Sequence, residues 1–320
     1  MRELNITTRE EGQRLDKILS KYLNKAPKSF VYKMLRKKNI KLNGKKATGN
    51  EKLSQGDQVC IYLAEDTINK FREEVKAGKQ KIKLDVLYED ENVIMVNKPW
   101  GILSQKSKPE DISINDQIIP YAVNQGLISE KELQVVKPSI CNRLDRNTTG
   151  IIICGISIEG LQTMAEMLKH RDMKKYYLCI VHGTLPRPAG RLEGYILKDE
   201  AKKQVTVSSR PRPGAKTAVT LYETLAVRNG LSLVRCQLIT GRTHQIRAQF
   251  AAAGHPLLGD GKYGSERQNK RYGRSYQALY SYRLEFCFTT DAGALAPLDG
   301  QQFQVEQVDF VTEYFPGFSL

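Results

Sequence analysis

No stretch of these 320 residues approaches the roughly 18 consecutive apolar residues that a membrane-spanning helix needs. The opening run from Met1 to Arg9 also lacks the apolar centre of a secretory leader, so the sequence predicts a cytoplasmic protein with no membrane partner. Cysteine is sparse and unpaired. Cys60, Cys141, Cys154, Cys179, Cys236 and Cys287 form no Cys-x-x-Cys pair and several sit in apolar runs, which predicts reduced core side chains. Histidine is scarcer still: His170, His182, His244 and His255 show no ligand spacing of the His-Glu-x-x-His kind, and no metal site is expected. Gly254 to Gly259 imitates the first half of a phosphate-binding loop, but Asp260-Gly261 stands where Lys and Ser or Thr are required, which excludes a nucleotide triphosphatase. Gly155-Ile-Ser157-Ile-Glu159 is not a nucleophile elbow, and Ser157 is predicted to cap a helix. Internal repeats and low-complexity tracts are absent.

What the sequence has in excess is positive charge. Fifty Lys and Arg against 35 Asp and Glu leave a formal +15, which favours a polyanionic partner. Residues 1–65 hold fifteen of these cations against seven carboxylates, a net +8 on about a fifth of the chain. In the same stretch Leu15, Ile18, Leu19 and Tyr22 recur at helical spacing, and a second helix, capped by Ser29, turns Val31, Met34 and Leu35 inward. Lys33, Arg36 and Lys37 then share its outer face, with Lys28 and Lys38 at its ends, a surface suited to phosphates. Asn43-Gly44 predicts a tight hairpin, and Val59, Ile61 and Leu63 alternate as a strand after Gly56-Asp57. This helix, helix, hairpin, strand order resembles the S4 RNA-binding domain, which implies that the second helix and its following turn touch RNA.

The charged, weakly patterned residues 66–82 read as a linker, which divides the chain into an S4-like unit, 1–65, and a larger unit, 83–320. Beyond it, Leu84 to Pro99 predicts two strands joined at an acidic turn. Further strands are predicted at 151–154, 177–181, 205–207, 218–222 and 231–237, with a helix over 158–170. Because no βαβ alternation is visible, the predicted class is α+β with a mixed, largely antiparallel sheet.

Asp145 lies between two arginines in the polar segment Cys141-Asn-Arg-Leu-Asp-Arg-Asn-Thr-Thr-Gly150, which feeds the apolar run Ile151 to Cys154. By residue type alone it could equally pair with Arg143 or Arg146 or cap a turn. The segment resembles the His-Arg-Leu-Asp-x-x-Thr-Ser-Gly signature of RluA-type pseudouridine synthases, with Asn142 in place of His and Thr149 in place of Ser. Three more blocks resemble that family: Tyr88 to Gly101, Lys175 to Gly183, and Leu238 to Phe250 followed by Gly254-His-Pro-Leu-Leu-Gly-Asp260. Gln249 departs from the family's usual His.

The resemblance implies a pseudouridine synthase fold and the isomerisation of uridines in structured RNA, ribosomal RNA for preference and transfer RNA as the other candidate. It makes Asp145 the catalytic carboxylate, Arg247 its ion partner, Tyr177 rather than Tyr176 the active-site tyrosine, and Arg143 the group that fills the place of a flipped-out base. Arg242, His244 and Lys262 are candidates for phosphate contacts. The chemistry asks only that the N1–C1′ bond break, the uracil turn and C5 bond to C1′. A carboxylate suffices, either attacking C1′ or removing the 2′ proton, so no cofactor is expected and no obligate protein partner is evident. The rival readings are an S4-type RNA-binding or ribosome-assembly protein without catalysis, and an S4-containing methyltransferase, which the absent cofactor turn disfavours.

Overall fold

The computed structural model describes residues 1–7, 10–74, 76–199 and 204–320. Its N-terminal part runs β1 (Arg2–Asn5), α1 (Leu15–Tyr22), α2 (Lys28–Arg36), β2 (Ile40–Leu42), β3 (Lys45–Lys46), β4 (Gln58–Ile61) and α3 (Glu65–Phe71). The strands form a 4-stranded sheet in the order β1-β4-β2-β3. Leu15, Ile18, Leu19, Tyr22, Val31, Met34, Leu35, Val59 and Ile61, which the helical and alternating spacings place inside, are buried in its core together with Ile40, whereas Leu63 lies past the end of β4 and is only partly buried. Asn43 and Gly44 both take positive φ, 50° and 73°, so the hairpin turn is of the kind that Asn-Gly favours.

Three features depart from the sequence reading. β1 has no signal of its own, because Arg2–Asn5 is short and polar and acquires its strand form by pairing with β4. α2 starts at Lys28 after Pro27, not at a Ser29 cap; proline needs no backbone donor there and already holds the φ that a helix entry requires. The expected linker opens as α3, which carries Glu65 and Asp66 in its first turn and buries Ile68 in the N-terminal core. Val75, within the same expected linker, lies outside the described residues.

The rest of the chain supplies β5 (Asp85–Glu89), β6 (Val93–Lys98), α4 (Ile114–Asn124), β7 (Ser139–Ile140), β8 (Thr149–Gly155), α5 (Ile158–His170), β9 (Met173–His182), β10 (Ala189–Asp199), β11 (Gln204–Ser208), β12 (Lys216–Arg228), β13 (Leu231–Leu238), α6 (Gln245–Ala252), α7 (Glu266–Arg271), β14 (Leu279–Phe286), β15 (Gln302–Gln304) and α8 (Asp309–Tyr314). The strands form an 11-stranded mixed sheet, β11-β10-β12-β13-β9-β14-β8-β6-β5, with β15 on β14 and β7 on β8. Among the described residues β14 and β8 run parallel and the other paired strands antiparallel.

Period-two alternation splits this sheet's side chains between two cores. Ile94, Val96, Ile152, Cys154, Tyr177, Cys179 and Val181 face α4 and α6, whereas Val93, Met95, Ile151, Ile153, Leu178 and Ile180 face α5 and α8. Ser157 caps α5 by accepting from the Gly160 N–H at 2.8 Å. All six cysteines are free thiols, four of them buried.

The parallel contact of β8 with β14 sets a demand on one residue. Gly150 sits at φ +110°, and a Cβ there would lie 2.1 Å from the Ser281 carbonyl oxygen. Gly150→Ala is therefore expected to cost about 2–5 kcal/mol, combining left-handed strain with overpacking; urea unfolding measures it, and a loss near that of an exposed glycine substitution would contradict the packing argument.

Candidate functional site

A cavity of about 630 Å³ opens on the α6 side of the sheet, within the roughly 300–1,000 Å³ span of small-molecule sites. Asp145, Arg143, Tyr177, Arg242, His244 and Arg247 all line it, together with Lys175 and Leu279. Six of the twelve residues singled out in the sequence therefore meet at one place. Lys28, Lys33, Arg36, Lys37 and Lys38 lie exposed on and beside α2 in the N-terminal unit, and Lys262 is exposed and does not line the cavity.

Asp145 is half-buried on the loop before β8, with 27% of its side chain exposed. Its neighbours hold it from both sides. The Ser104 hydroxyl donates to the Leu144 carbonyl at 2.7 Å and accepts from the Leu144 N–H at 3.0 Å. The Arg146 carbonyl accepts from the Lys98 ammonium at 2.9 Å and from the Gly101 N–H at 3.2 Å. With the main chain fixed on each flank, the carboxylate has little room to wander.

One of its oxygens is committed. Arg247 Nη1 donates to Asp145 Oδ2 at 2.8 Å, and His244 Nε2 stands 3.7 Å from the same atom. Oδ1 accepts no hydrogen bond from the described residues. Arg247 is itself clamped, its Nε donating to Asp260 Oδ2 at 2.6 Å and its Nη2 to Asp260 Oδ1 at 2.9 Å. Burial works against both charges, yet the pairing wins: the Arg247 guanidinium is driven above its ordinary value and the Asp260 carboxyl below its own. Backbone N–H groups of Lys262 and Tyr263 complete the Asp260 cradle at 2.9 and 3.1 Å.

The His244 ring is tied at Nδ1 to the Tyr263 hydroxyl at 2.8 Å, and that hydroxyl already accepts from the Val205 N–H at 2.9 Å. The tyrosine is thus free to give its proton to Nδ1, which leaves the Nε2–H facing Asp145. Burial lowers the His244 pKa, opposed by the Asp145 charge, which favours the neutral ring. Tyr177 is buried, and desolvation, then the Asp145 charge, pushes its phenol up to about 12. Strand alternation sends Tyr176 to the opposite face, where the Arg283 guanidinium lies 4.1 Å from its ring centroid. Arg143 is exposed, and among the described residues its guanidinium has no ionic partner; Arg242 reaches the Thr217 carbonyl through Nε at 3.0 Å.

Three functional neighbours escape a reading of the sequence. Lys98 is fully buried, donates to the carbonyls of Pro99, Ile102 and Arg146 at 3.0, 2.8 and 2.9 Å, and is pushed by burial down to about 7, with the Asp145 charge opposing. Its one signal is a lysine closing the apolar run of β6. Asp260 appears in the sequence as a residue that spoils a phosphate loop and as the end of a family-like block, with no role assigned to it, although a half-buried Arg247 calls for a carboxylate. Ser104 carries no pattern that marks it. Gln249, the departure from the family pattern, joins α6 to β10 and β12. Its amide donates to the Leu192 and Ala218 carbonyls at 3.1 Å each and accepts from the Thr220 hydroxyl at 2.7 Å.

Known proteins resemble the chain over most of its length. The sequence model of a family described as RNA pseudouridylate synthase matches residues 92–252, and that of the S4 domain matches residues 13–59. Ribosomal large subunit pseudouridine synthase C of Escherichia coli K12 is 30% identical over 294 residues, which cover 89% of this chain and 87% of that protein. An uncharacterized RNA pseudouridine synthase of Mycoplasma genitalium is 31% identical over 283 residues, 86% of each chain. Among solved structures, human RNA pseudouridylate synthase domain containing 4 shares the fold, with a TM-score of 0.55 and 23% identity over 71% of this chain and 89% of that one.

Proposed function

The chain belongs to the RNA pseudouridylate synthase family and carries an S4 domain, and from that premise we propose that it converts uridines of large-subunit ribosomal RNA with Asp145 as the reacting carboxylate. The observation that carries the second half of this reading is the asymmetry of Asp145: Oδ2 is held by Arg247, and Oδ1 takes no hydrogen bond from the described residues. An oriented, ionic carboxylate with one uncommitted oxygen on a nucleoside-sized cavity is what attack on C1′, or removal of the 2′ proton, requires. Atoms balance without a co-reactant. The N1–C1′ bond breaks, C5 bonds to C1′, C5 gives up its proton and N1 takes one.

Tyr177 offers the uracil a ring face and a neutral phenol. Arg143, exposed beside the cavity, fills the gap that the extruded base leaves. Arg242 and His244 border the same opening as contacts for the RNA backbone. The choice of ribosomal RNA rests on the activity for which the Escherichia coli relative is named and on the S4 domain. We place the protein in the cytoplasm, and no helix of the described residues is long and apolar enough to cross a membrane. We also propose the division into an S4-like unit up to residue 65, joined by 66–82 to the catalytic unit 83–320, with α3 packed on the first.

Tritium release from 5-tritiated uridine tests the reaction and its substrate together. Release from a large-subunit rRNA transcript and not from bulk tRNA is the expected result; release from tRNA alone would move the substrate. The basic face of α2 is expected to act in binding only. Changing Lys33, Arg36 and Lys37 together to Ala should weaken RNA affinity and make log Kd less steep in log salt by about 0.7–0.9 for each phosphate that those side chains neutralise. An unaltered salt slope in filter binding would remove α2 from the interface.

A further inference from the structure

The chain has one tryptophan, and it is exposed: Trp100 keeps 49% of its surface open to solvent on the loop after β6. We propose that Trp100 is a second nucleobase site, a stacking platform for a base of the RNA outside the uridine cavity. This rests on the reading of the protein as an RNA-modifying enzyme and extends it to a residue that does not line the cavity.

The ring is held in place from below. It packs on Tyr276 with centroids 4.6 Å apart and planes 36° from each other. Tyr276 is in turn braced by Arg274, whose guanidinium lies 4.4 Å from its centroid and is locked to Asp309 and Glu313 of α8 at 3.1 and 3.0 Å. The Tyr276 carbonyl accepts from Arg274 Nε at 3.2 Å. A large apolar plane stays in water at a cost, and here it is both exposed and backed by a fixed ring.

The platform is tied to the Asp145 loop twice. Gly101, the next residue, donates its N–H to the Arg146 carbonyl and receives Arg146 Nε at its own carbonyl, both at 3.2 Å. On the other side of the stack Gln277, the neighbour of Tyr276, donates to the Thr148 hydroxyl at 3.0 Å. The Trp100 platform and the Asp145 loop are therefore held in a fixed relation to each other. Exposed Arg143, Arg146, Lys106 and Lys108 stand on the adjoining loops, Lys106 paired with Asp116 at 3.4 Å, and an aromatic plane beside cations is the usual composition of a single-strand platform.

Because Trp100 is the single tryptophan, its emission, excited where tyrosine does not absorb, reports on this site alone. The intact protein is titrated with a large-subunit rRNA transcript and, in parallel, with bulk tRNA, while filter binding gives Kd for the parent, Trp100→Phe and Trp100→Ala. Stacking predicts quenching that saturates with binding, a Kd raised about tenfold in Trp100→Ala, and a Kd within about threefold of the parent in Trp100→Phe. Emission that stays constant while RNA is bound overturns the platform, and so does an unchanged Kd in Trp100→Ala; either leaves a protein partner as the occupant to seek. Tritium release by the parent is followed in the same samples. Its absence would count against the isomerase reading, whereas emission and Kd need only binding and still decide on Trp100.

Discussion

Asp145→Asn is expected to abolish tritium release, lowering turnover by about 10⁴-fold or more, while RNA affinity stays within a few-fold of the parent. The substitution keeps shape and removes charge. An asparagine Oδ1 in place of Asp145 Oδ2 can still accept from Arg247 Nη1, and Arg247 remains paired with Asp260 through its other two nitrogens, so no buried cation is left uncompensated. The loop keeps its anchors as well, since Ser104 and Lys98 bind main-chain carbonyls on either side. What is lost is the negative oxygen that would attack C1′ or take the 2′ proton. A thermal melt within a few degrees of the parent separates this from unfolding. Residual release within about tenfold of the parent would mean that another group reacts, and Asp145 would become a positioning carboxylate.

The site is legible in the sequence to the extent that its residues fall in contiguous blocks. Arg143 and Asp145 share one segment, Arg242, His244 and Arg247 another, and each segment folds as a short loop or helix entry, so local order in the chain carries over into local order in space. Tyr177 is singled out over Tyr176 by the family block, and strand alternation then puts the two on opposite faces. Lys98 and Asp260 are harder for the same physical reason. Each acts on a partner far along the chain, Lys98 on the Arg146 carbonyl and Asp260 on Arg247, and a lone Lys or Asp carries no periodicity that announces burial.

The fold divides in the same way. Helix α5 is readable end to end, with its Ser157 cap, because periodicity and capping are local. Strands β10 and β14 are not. Ala189–Asp199 alternates weakly and owes its form to β12, while Leu279–Phe286 depends on β9 and the close approach of β8 at Gly150. Pairing across long sequence separation leaves little trace in either segment's own composition. Similarly, β1 reads as polar chain until β4 is beside it.

The second large effect is expected from a residue that the reaction does not touch. Asp260 is fully buried and faces Arg247 through both oxygens. Asp260→Asn leaves a guanidinium that is 8% exposed with Asp145 as its one remaining charge partner, and should cost about 3 kcal/mol of stability, or roughly 5 °C in Tm. The sign of its pH dependence follows from the direction of the shift. Burial raises the Asp260 carboxyl, but the Arg247 hydrogen bond and charge, joined by the N–H groups of Lys262 and Tyr263, outweigh it and set the folded value below the unfolded one. A depressed carboxylate contributes stability that is fully present above the unfolded value of about 3.9 and is lost as the pH falls through the folded value. The gap between parent and Asp260→Asn in urea unfolding should therefore stay constant from about pH 7 to about pH 5 and narrow below about pH 4. A gap that persists undiminished in acid would show that Asp260 stabilises by packing and not by charge. Turnover should fall too, by about 100-fold, because Arg247 loses the clamp that aims its Nη1 at Asp145. Since Asp145 itself is intact in this variant, the two substitutions separate the carboxylate that reacts from the one that holds its partner still.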